Sequence, residues 1–364
     1  MATPPFRAEH IGSLLRPASL LAMREKYRHS EITFAELDAA TSKAIEEAVR
    51  LQEKVGLQVV TDGEFRRDAY HSYFFRQLGD VSLDNPADAK DHGRGAQPQA
   101  TIGSRLKWTK PIHVGDFLFL KARTKATPKI TIPGPCALHF RGGNQAALAS
   151  AYTNMDLFWD DMVLAYRAEL EALAAAGCTY VQIDETAFAK FGDADVQAQL
   201  AARGDDWDKL IDFYIDVTNR VLKDLPTSLT IGMHLCRGNR GGKWHAEGSY
   251  ETVADRLFNK LAIKTFFLEY DSPRAGTFTP LRLVPKDKHV ILGLVSTKSD
   301  ELEEKDALKK RIEEATKYVD LDKLGISPQC GFASVETGNP IVPATQEAKL
   351  RRVVDVAREV WGKA

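Results

Sequence analysis

Hydrophobic positions along the chain fall into two alternating patterns. Short apolar runs at residues 57–62, 129–133, 179–184, 229–234, 265–269, 289–295 and 324–327 have the length and β-branched content of buried strands. Between most of them the apolar residues recur with a helical period. Over residues 34–55, Phe34, Leu37, Ala40, Ala44, Ala48, Leu51 and Val55 make one stripe. Thr33 with Glu36 reads as a capping box at its start, and Gly56 stops it. Residues 158–176 repeat the scheme with Gly177 as the stop, and 250–261, 300–318 and 345–361 predict three further helices. A segment ahead of Gly12, residues 9–11, brings the number of candidate strands to eight.

Strand and helix alternating at this spacing require a parallel sheet with right-handed crossovers and helices outside. Eight such units predict a (β/α)₈ TIM barrel, with residues 1–364 as one unit. A doubly wound sheet is the competitor, but no Gly-x-Gly-x-x-Gly follows the first strands. The stretch 65–127 breaks the rhythm and is too long for an ordinary connection. Its middle, 85–101, is expected to be irregular, and 111–125 to form a hairpin or an added strand. An insertion after the second strand emerges on the catalytic face of a barrel, which suggests a lid or an active-site wall.

Composition narrows the function. Forty-nine Lys and Arg against 50 Asp and Glu leave a formal net charge of -1, so no general field gathers polyanions and nucleic-acid binding is not expected. No run approaches 18 apolar residues, and the polar first ten residues do not resemble a signal sequence. A cytoplasmic protein without a membrane partner is the expectation. In a reducing compartment the four cysteines are free thiols or metal ligands. Cys136 and Cys178 read as small core hydrophobes.

Polar chemistry collects where the predicted strands end. Asp62 and Glu64 follow the second, and Asp184 and Glu185 the fourth. The fifth ends His234-Leu-Cys236, the sixth Glu269-Tyr270-Asp271, and the eighth Gln329-Cys330-Gly331. Such positions face the mouth of a barrel. Residues i and i+2 of a strand point the same way, so His234 and Cys236 can serve one ion. Glu269 and Cys330 would complete the set, and thiolates with imidazole favour zinc. The segment 236–242 is a glycine-containing basic loop, with a second basic turn at 139–143. Arg237, Arg240, Arg141, Arg66 and Arg67, each taken alone, read as solvated charges.

These residues carry a family resemblance. His10-Ile-Gly-Ser13, Asp62-Gly-Glu64, Gln182-Ile-Asp-Glu185, His234-x-Cys236, Glu269 and Cys330-Gly331, in this order, resemble the catalytic barrel of the cobalamin-independent methionine synthases and its short stand-alone relatives. The likeness covers essentially the whole chain. It implies a zinc ion (Zn2+) on His234, Cys236, Glu269 and Cys330, and a thiol amino acid, homocysteine, held by Ser13, Glu64 and Asp184. Arg141 joins these as a substrate-side candidate. Two departures bear on the alkyl donor. Ser296 and Lys298 stand where the synthases have an Asp-x-His pattern that protonates the leaving folate, and 138–141 replaces a Trp-Ser-Phe type segment.

A thiol of ordinary pKa, about 8.5, is mostly protonated at neutral pH, and zinc removes that obstacle. A displaceable Glu269 would make room for the substrate sulfur, and Lys298, Tyr270 or Asp271 could supply a proton to the leaving group. The expected activity is transfer of a methyl or other alkyl group to a small thiol. Alkylation of another thiol such as coenzyme M, and a barrel metallohydrolase, are the alternatives. A hydrolase would want more histidines than His234 and His10 near the metal.

Overall fold

The computed structural model describes residues 4–84 and 99–364. Helices α1 (Ala18–Arg28) and α2 (Phe34–Val55) precede the short strand β1 (Val59–Val60). Then come α3 (Ser72–Leu78), the antiparallel pair β2 (Val81–Asp84) and β3 (Gln99–Ile102), α4 (Val114–Lys121), β4 (Thr127–Pro128) and β5 (Ile130–Pro133). Regular alternation follows: α5 (Ala137–Leu148), α6 (Met155–Ala175), β6 (Tyr180–Glu185), α7 (Ala194–Ala202), α8 (Trp207–Leu222) and β7 (Thr230–Leu235). The chain ends with α9 (Glu251–Lys260), β8 (Thr265–Glu269), β9 (His289–Val295), α10 (Lys305–Ala315), β10 (Leu324–Pro328) and α11 (Pro343–Trp361).

Strands β5 to β10 form one parallel sheet in sequential order. Their side chains are buried almost throughout because helices cover one face and the opposite face packs on itself. Beyond β5, β1 pairs in parallel with β4, and the Lys129 N–H donates to the Val60 carbonyl at 2.8 Å. Beyond β10, Ala8 bridges Ile326 in parallel, and the Glu9 N–H donates to Ile326 O at 2.9 Å. This is an α/β fold of the TIM-barrel-like catalytic kind.

Inside the sheet, Phe6, Ile11, Val59, Tyr180, Phe267 and Ile291 meet as a separate apolar cluster. A polar layer lies beside them. The Lys129 ammonium reaches Glu9 and the Gln182 side-chain oxygen at 3.0 Å each, and the Tyr180 hydroxyl donates to Glu9. Both charges of the Lys129–Glu9 pair are fully buried, so each holds the other in place by the cost of leaving it alone.

Local signals held for α2. The Thr33 hydroxyl accepts from Glu36 N–H, the Glu36 carboxylate accepts from Thr33 N–H, and Gly56 ends the helix at φ 98°. Other expectations are corrected. Residues 111–125 are no hairpin: α4 occupies their centre, with Phe117 and Leu120 buried on one helical side. Residues 9–11 are not a strand, and contact with β10 there is the single bridge at Ala8. Helix α10 is shorter than 300–318. Of the irregular stretch 85–101, residues 85–98 lie outside the described residues, while 99–101 belong to β3. Helix α5 had no clean signal, since Gly142 and Gly143 interrupt it. No helix among the described residues is long and apolar enough to cross a membrane.

One connection bears directly on the loops above the sheet. The buried Asp193 carboxylate caps α7 by accepting from the Asp195 N–H at 2.9 Å, and its other oxygen accepts from the Glu247 N–H at 2.7 Å. It joins the loop after β6 to the loop after β7. Asp193→Ala is expected to cost about 2 kcal/mol, the upper end for a lost helix cap. A lowered denaturant midpoint with unchanged slope would show it.

Candidate metal and substrate site

Alternation along β7 turns His234 inward, and the next inward position, Cys236, lies just past the strand end. The loop after β10 brings Cys330 to the same place. Ligand atoms of His234, Cys236 and Cys330 lie within 4.8 Å of one another, and all three residues are buried. The two sulfurs are 3.5 Å apart. Two sulfurs about 2.3 Å from a tetrahedral ion would stand about 3.8 Å apart, so the spacing fits zinc with little movement. The His234 side chain is buried, and its ring nitrogens make no well-formed hydrogen bond; Cys236 is the neighbour that acts on it most directly. A buried imidazole so placed beside two thiols is costly unless a ligand uses its lone pair.

The thiols influence each other strongly. The hydrogen bond from Cys330, helped by His234, holds the Cys236 thiol well below its ordinary range. Sharing that bond pushes the Cys330 thiol well up. The Gly238 N–H also donates to the Cys236 sulfur at 3.1 Å. On the other side, the Asn239 amide donates to Gly331 O at 2.7 Å, and the Thr297 hydroxyl donates to the same carbonyl at 3.0 Å. These bonds tie the two cysteine loops together.

Glu269 stands apart from the triad. One of its oxygens accepts from the Arg237 N–H at 2.8 Å, and the other meets Arg274 at 2.5 Å and Lys298 at 3.4 Å. Burial alone would raise its pKa, but Lys298, Arg237 and Arg274 outweigh that and hold it at about 2. Glu269 is thus a carboxylate in a cationic clamp. The clamp residues Arg237 and Arg274 were not among the sequence candidates, and Arg237 is buried rather than solvated.

Ser13, Glu64, Asp184 and Arg141 line the same cavity as the triad, whose volume is about 520 Å³. That lies within the ~300–1,000 Å³ of small-molecule sites. Glu64 has φ 62°, a left-handed conformation costly for a residue with a side chain. Its surroundings enforce it. The Asp62 carboxylate accepts from the Glu64 N–H, the buried Arg16 donates to its carbonyl, and the Thr131 hydroxyl donates to its carboxylate at 2.7 Å. Arg67, fully buried, donates to Thr131 and lies 3.8 Å from Glu64. Its burial, and the pairing of Arg66 with Asp38 and Asp116, correct the expectation that these arginines are solvated. One Glu64 oxygen has no partner. Burial pushes Asp184 up to about 7 against the pull of His234.

Two glycines make this crowding possible. Gly12, at φ 137°, leaves space where a side-chain carbon would meet the Thr131 methyl at 2.7 Å. At Gly331 such a carbon would lie 2.0 Å from the Ser13 hydroxyl. The Gly331 backbone therefore approaches Ser13 as only glycine permits.

Of the three acid candidates, Lys298 touches Glu269, as described. The Tyr270 hydroxyl is buried without a partner among Tyr250 and Phe278, and burial pushes its pKa far up. Asp271 pairs with Arg274. None of Lys298, Tyr270 and Asp271 is among the residues that line the cavity, and neither is Glu269. Lining residues that the sequence did not single out include Tyr70 and His71, from the 65–127 stretch, and Lys190, from the turn after β6.

Comparison with known proteins gives one coherent result. A family model described as "Cobalamin-independent synthase, Catalytic domain" matches residues 6–359. The uncharacterized protein YxjH of Bacillus subtilis is 39% identical over 361 residues, covering 98% of this chain and 95% of that protein. A crystal structure from Listeria monocytogenes, provisionally named a vitamin-B12-independent methionine synthase, superposes with TM-score 0.77 at 33% identity, over 100% of both chains. A B12-independent methionine synthase from Shewanella sp. W3-18-1, in complex with selenomethionine, shares the fold with TM-score 0.75 at 21% identity, over 97% of both chains.

Proposed function

Because the chain belongs to the cobalamin-independent methionine synthase family, in its catalytic domain, we propose that it transfers a methyl or other alkyl group to the sulfur of a small thiol, homocysteine first, on a zinc ion. The observation that carries this reading is the buried His234, Cys236 and Cys330 triad at the end of a parallel sheet, with a cavity in front of it. In the same reading the sheet closes as an eight-stranded barrel. The bridge from Ala8 to Ile326 and the bond from Lys129 to Val60 support closure at the two edges. The 65–127 stretch forms a wall of the site, since Tyr70, His71 and Ser72 line the cavity.

His234, Cys236 and Cys330 would hold the zinc ion, with Glu269 as the fourth group. When bound, zinc supplies Lewis-acid stabilisation of a substrate thiolate. The protein's own residues do the rest. Glu64 and Asp184 receive the ammonium of the thiol amino acid, and Ser13 orients its backbone end. Arg274 and Lys298 hold the Glu269 carboxylate on the side away from the triad, which would leave room beside the triad for the substrate sulfur. Lys298, 3.4 Å from Glu269, is the candidate for the leaving group's acid. Attack by the sulfur on the alkyl carbon breaks the bond to the leaving group, which takes up the proton.

The direct test incubates zinc-loaded protein with homocysteine and a panel of alkyl donors and reads the S-alkyl product by mass. Absence of any thiol-dependent product across the panel sinks the reading. The donor itself carries a sharper expectation. Transfer from methyltetrahydrofolate needs protonation of a poor nitrogen leaving group, and general acid catalysis there supplies about 10²–10⁴-fold. Ser296 and Lys298 do not reproduce an Asp-x-His acid. In single-turnover measurements at equal zinc occupancy, a sulfonium or other activated donor should react faster than the folate. A faster folate reaction would assign the acid's role to Lys298 or a neighbour.

A further inference from the structure

Alternation along β6 lines up three inward side chains, Tyr180, Gln182 and Asp184, between the apolar cluster inside the sheet and the cavity. Tyr180 belongs to the cluster, Asp184 lines the cavity, and Gln182 is buried between them. The Gln182 amide nitrogen donates to the Asp184 carboxylate at 2.7 Å and to the Ile11 carbonyl at 2.6 Å. Its oxygen accepts from the Lys129 ammonium at 3.0 Å. Asp184 meets the ammonium of the thiol in the proposed reaction, while Gln182 and Lys129 lie behind it, outside the cavity lining.

An ammonium carries three donors and no acceptor. Those of Lys129 go to Glu9, to the His10 carbonyl and to Gln182. Lys129 can therefore face only the oxygen end of the Gln182 amide. Turned over, the amide would set its NH2 against the ammonium, and its oxygen against the Ile11 carbonyl and the Asp184 carboxylate. All of these contacts would become repulsive, so the amide has one orientation. Glu9 balances the lysine's charge. Its other oxygen accepts from the Tyr180 hydroxyl at 2.9 Å and from the Phe6 N–H at 3.2 Å. Glu9, Lys129, Tyr180 and Gln182 are each 0% exposed, so bulk water does not compete for these bonds. The Gln182 donor thus holds one Asp184 oxygen in place at the cavity wall.

On the reading in which Asp184 receives the substrate's ammonium, we propose that Gln182, locked by Lys129, is a positioning residue that makes the site select thiols bearing an ammonium. A carboxylate already held in place meets the ammonium without being ordered at that moment, and the saving appears as affinity for amino-acid thiols alone.

The probes are homocysteine and 4-mercaptobutanoate, which offers the same sulfur and carboxylate without the amine. Each is titrated into the zinc-loaded protein by calorimetry. The parent protein should bind homocysteine at least about tenfold more tightly. Gln182→Met is close in size and removes the donor; it should weaken homocysteine about tenfold and leave 4-mercaptobutanoate within about twofold. Placed on Asp184→Asn, the same change should lower homocysteine affinity little further, because the carboxylate it positions is gone. Lys129→Met combined with Glu9→Gln strands no charge, and should give the same selective loss at about threefold. Parallel loss of both thiols in either variant overturns the proposal, since it marks a structural role. Homocysteine affinity lost in Asp184→Asn but kept in Gln182→Met overturns the positioning role alone. Equal affinity for the two thiols in the parent protein, or unchanged homocysteine affinity in Asp184→Asn, overturns the ammonium reading together with it.

Discussion

Cys236→Ser and Cys330→Ser are each expected to leave the purified protein with little zinc and no measurable alkyl transfer. Each variant removes one of only two sulfur donors from a site whose third donor, His234, makes no well-formed hydrogen bond. Changes to groups that merely support a ligand cost about 10–100-fold in metal affinity, so loss of a direct thiolate donor should exceed about 100-fold. Metal analysis of the parent protein should give about one zinc per chain. Cys178→Ser is the control. That thiol is buried beside the start of β6, far in sequence from the other ligands, and its variant should keep the metal while losing about 1–3 kcal/mol of stability from a poorly satisfied hydroxyl. Full zinc in both Cys236→Ser and Cys330→Ser would remove these residues from the metal site.

If the substrate is an amino-acid thiol, Glu64→Gln and Asp184→Asn are expected to weaken homocysteine binding by about 100-fold or more while zinc content stays near normal. Breaking a buried charge pair by removing one partner costs on the order of 3–5 kcal/mol, and both carboxylates are buried in the cavity lining. Glu64 needs a second readout, because its loss also leaves Arg67 buried beside Thr131 without its carboxylate. A large drop in melting temperature with unchanged affinity would show that Glu64 only holds its loop. Calorimetry with homocysteine separates the two roles. Unchanged affinity in both variants would take both residues out of the substrate site.

Much of this architecture was legible without coordinates, and the reasons are local. The apolar runs of β5 to β10 are short and continuous because both sheet faces are covered, and that is a property of composition alone. The cap at Thr33 and the stop at Gly56 act within four residues of the helix they bound. His234 and Cys236 share a side because strand alternation has a period of two. Residues 9–11 failed as a strand because a single bridge at Ala8 depends on where β10 lies, not on the segment itself. Helix α4 was misread because Phe117, Leu118, Phe119 and Leu120 are apolar in succession, which leaves alternation and helical period equally plausible over so short a run.

By itself the sequence determined the strand–helix alternation, the inward pairing of His234 with Cys236, and the gathering of acids and cysteines at strand ends. These depend on residue type and spacing along one stretch of chain. Only the tertiary structure decided that Cys330 stands 3.5 Å from Cys236 and that Glu269 rests on Arg237, Arg274 and Lys298. It likewise decided that Arg67 is buried against Glu64, and that Arg141 and Lys190 share a wall with His71. The physical reason is that an arginine or lysine is silent about its partner until the fold removes water. Exposed, its charge is screened and worth little; buried, it must find a carboxylate or an anion, and sequence spacing does not say which element will bring one.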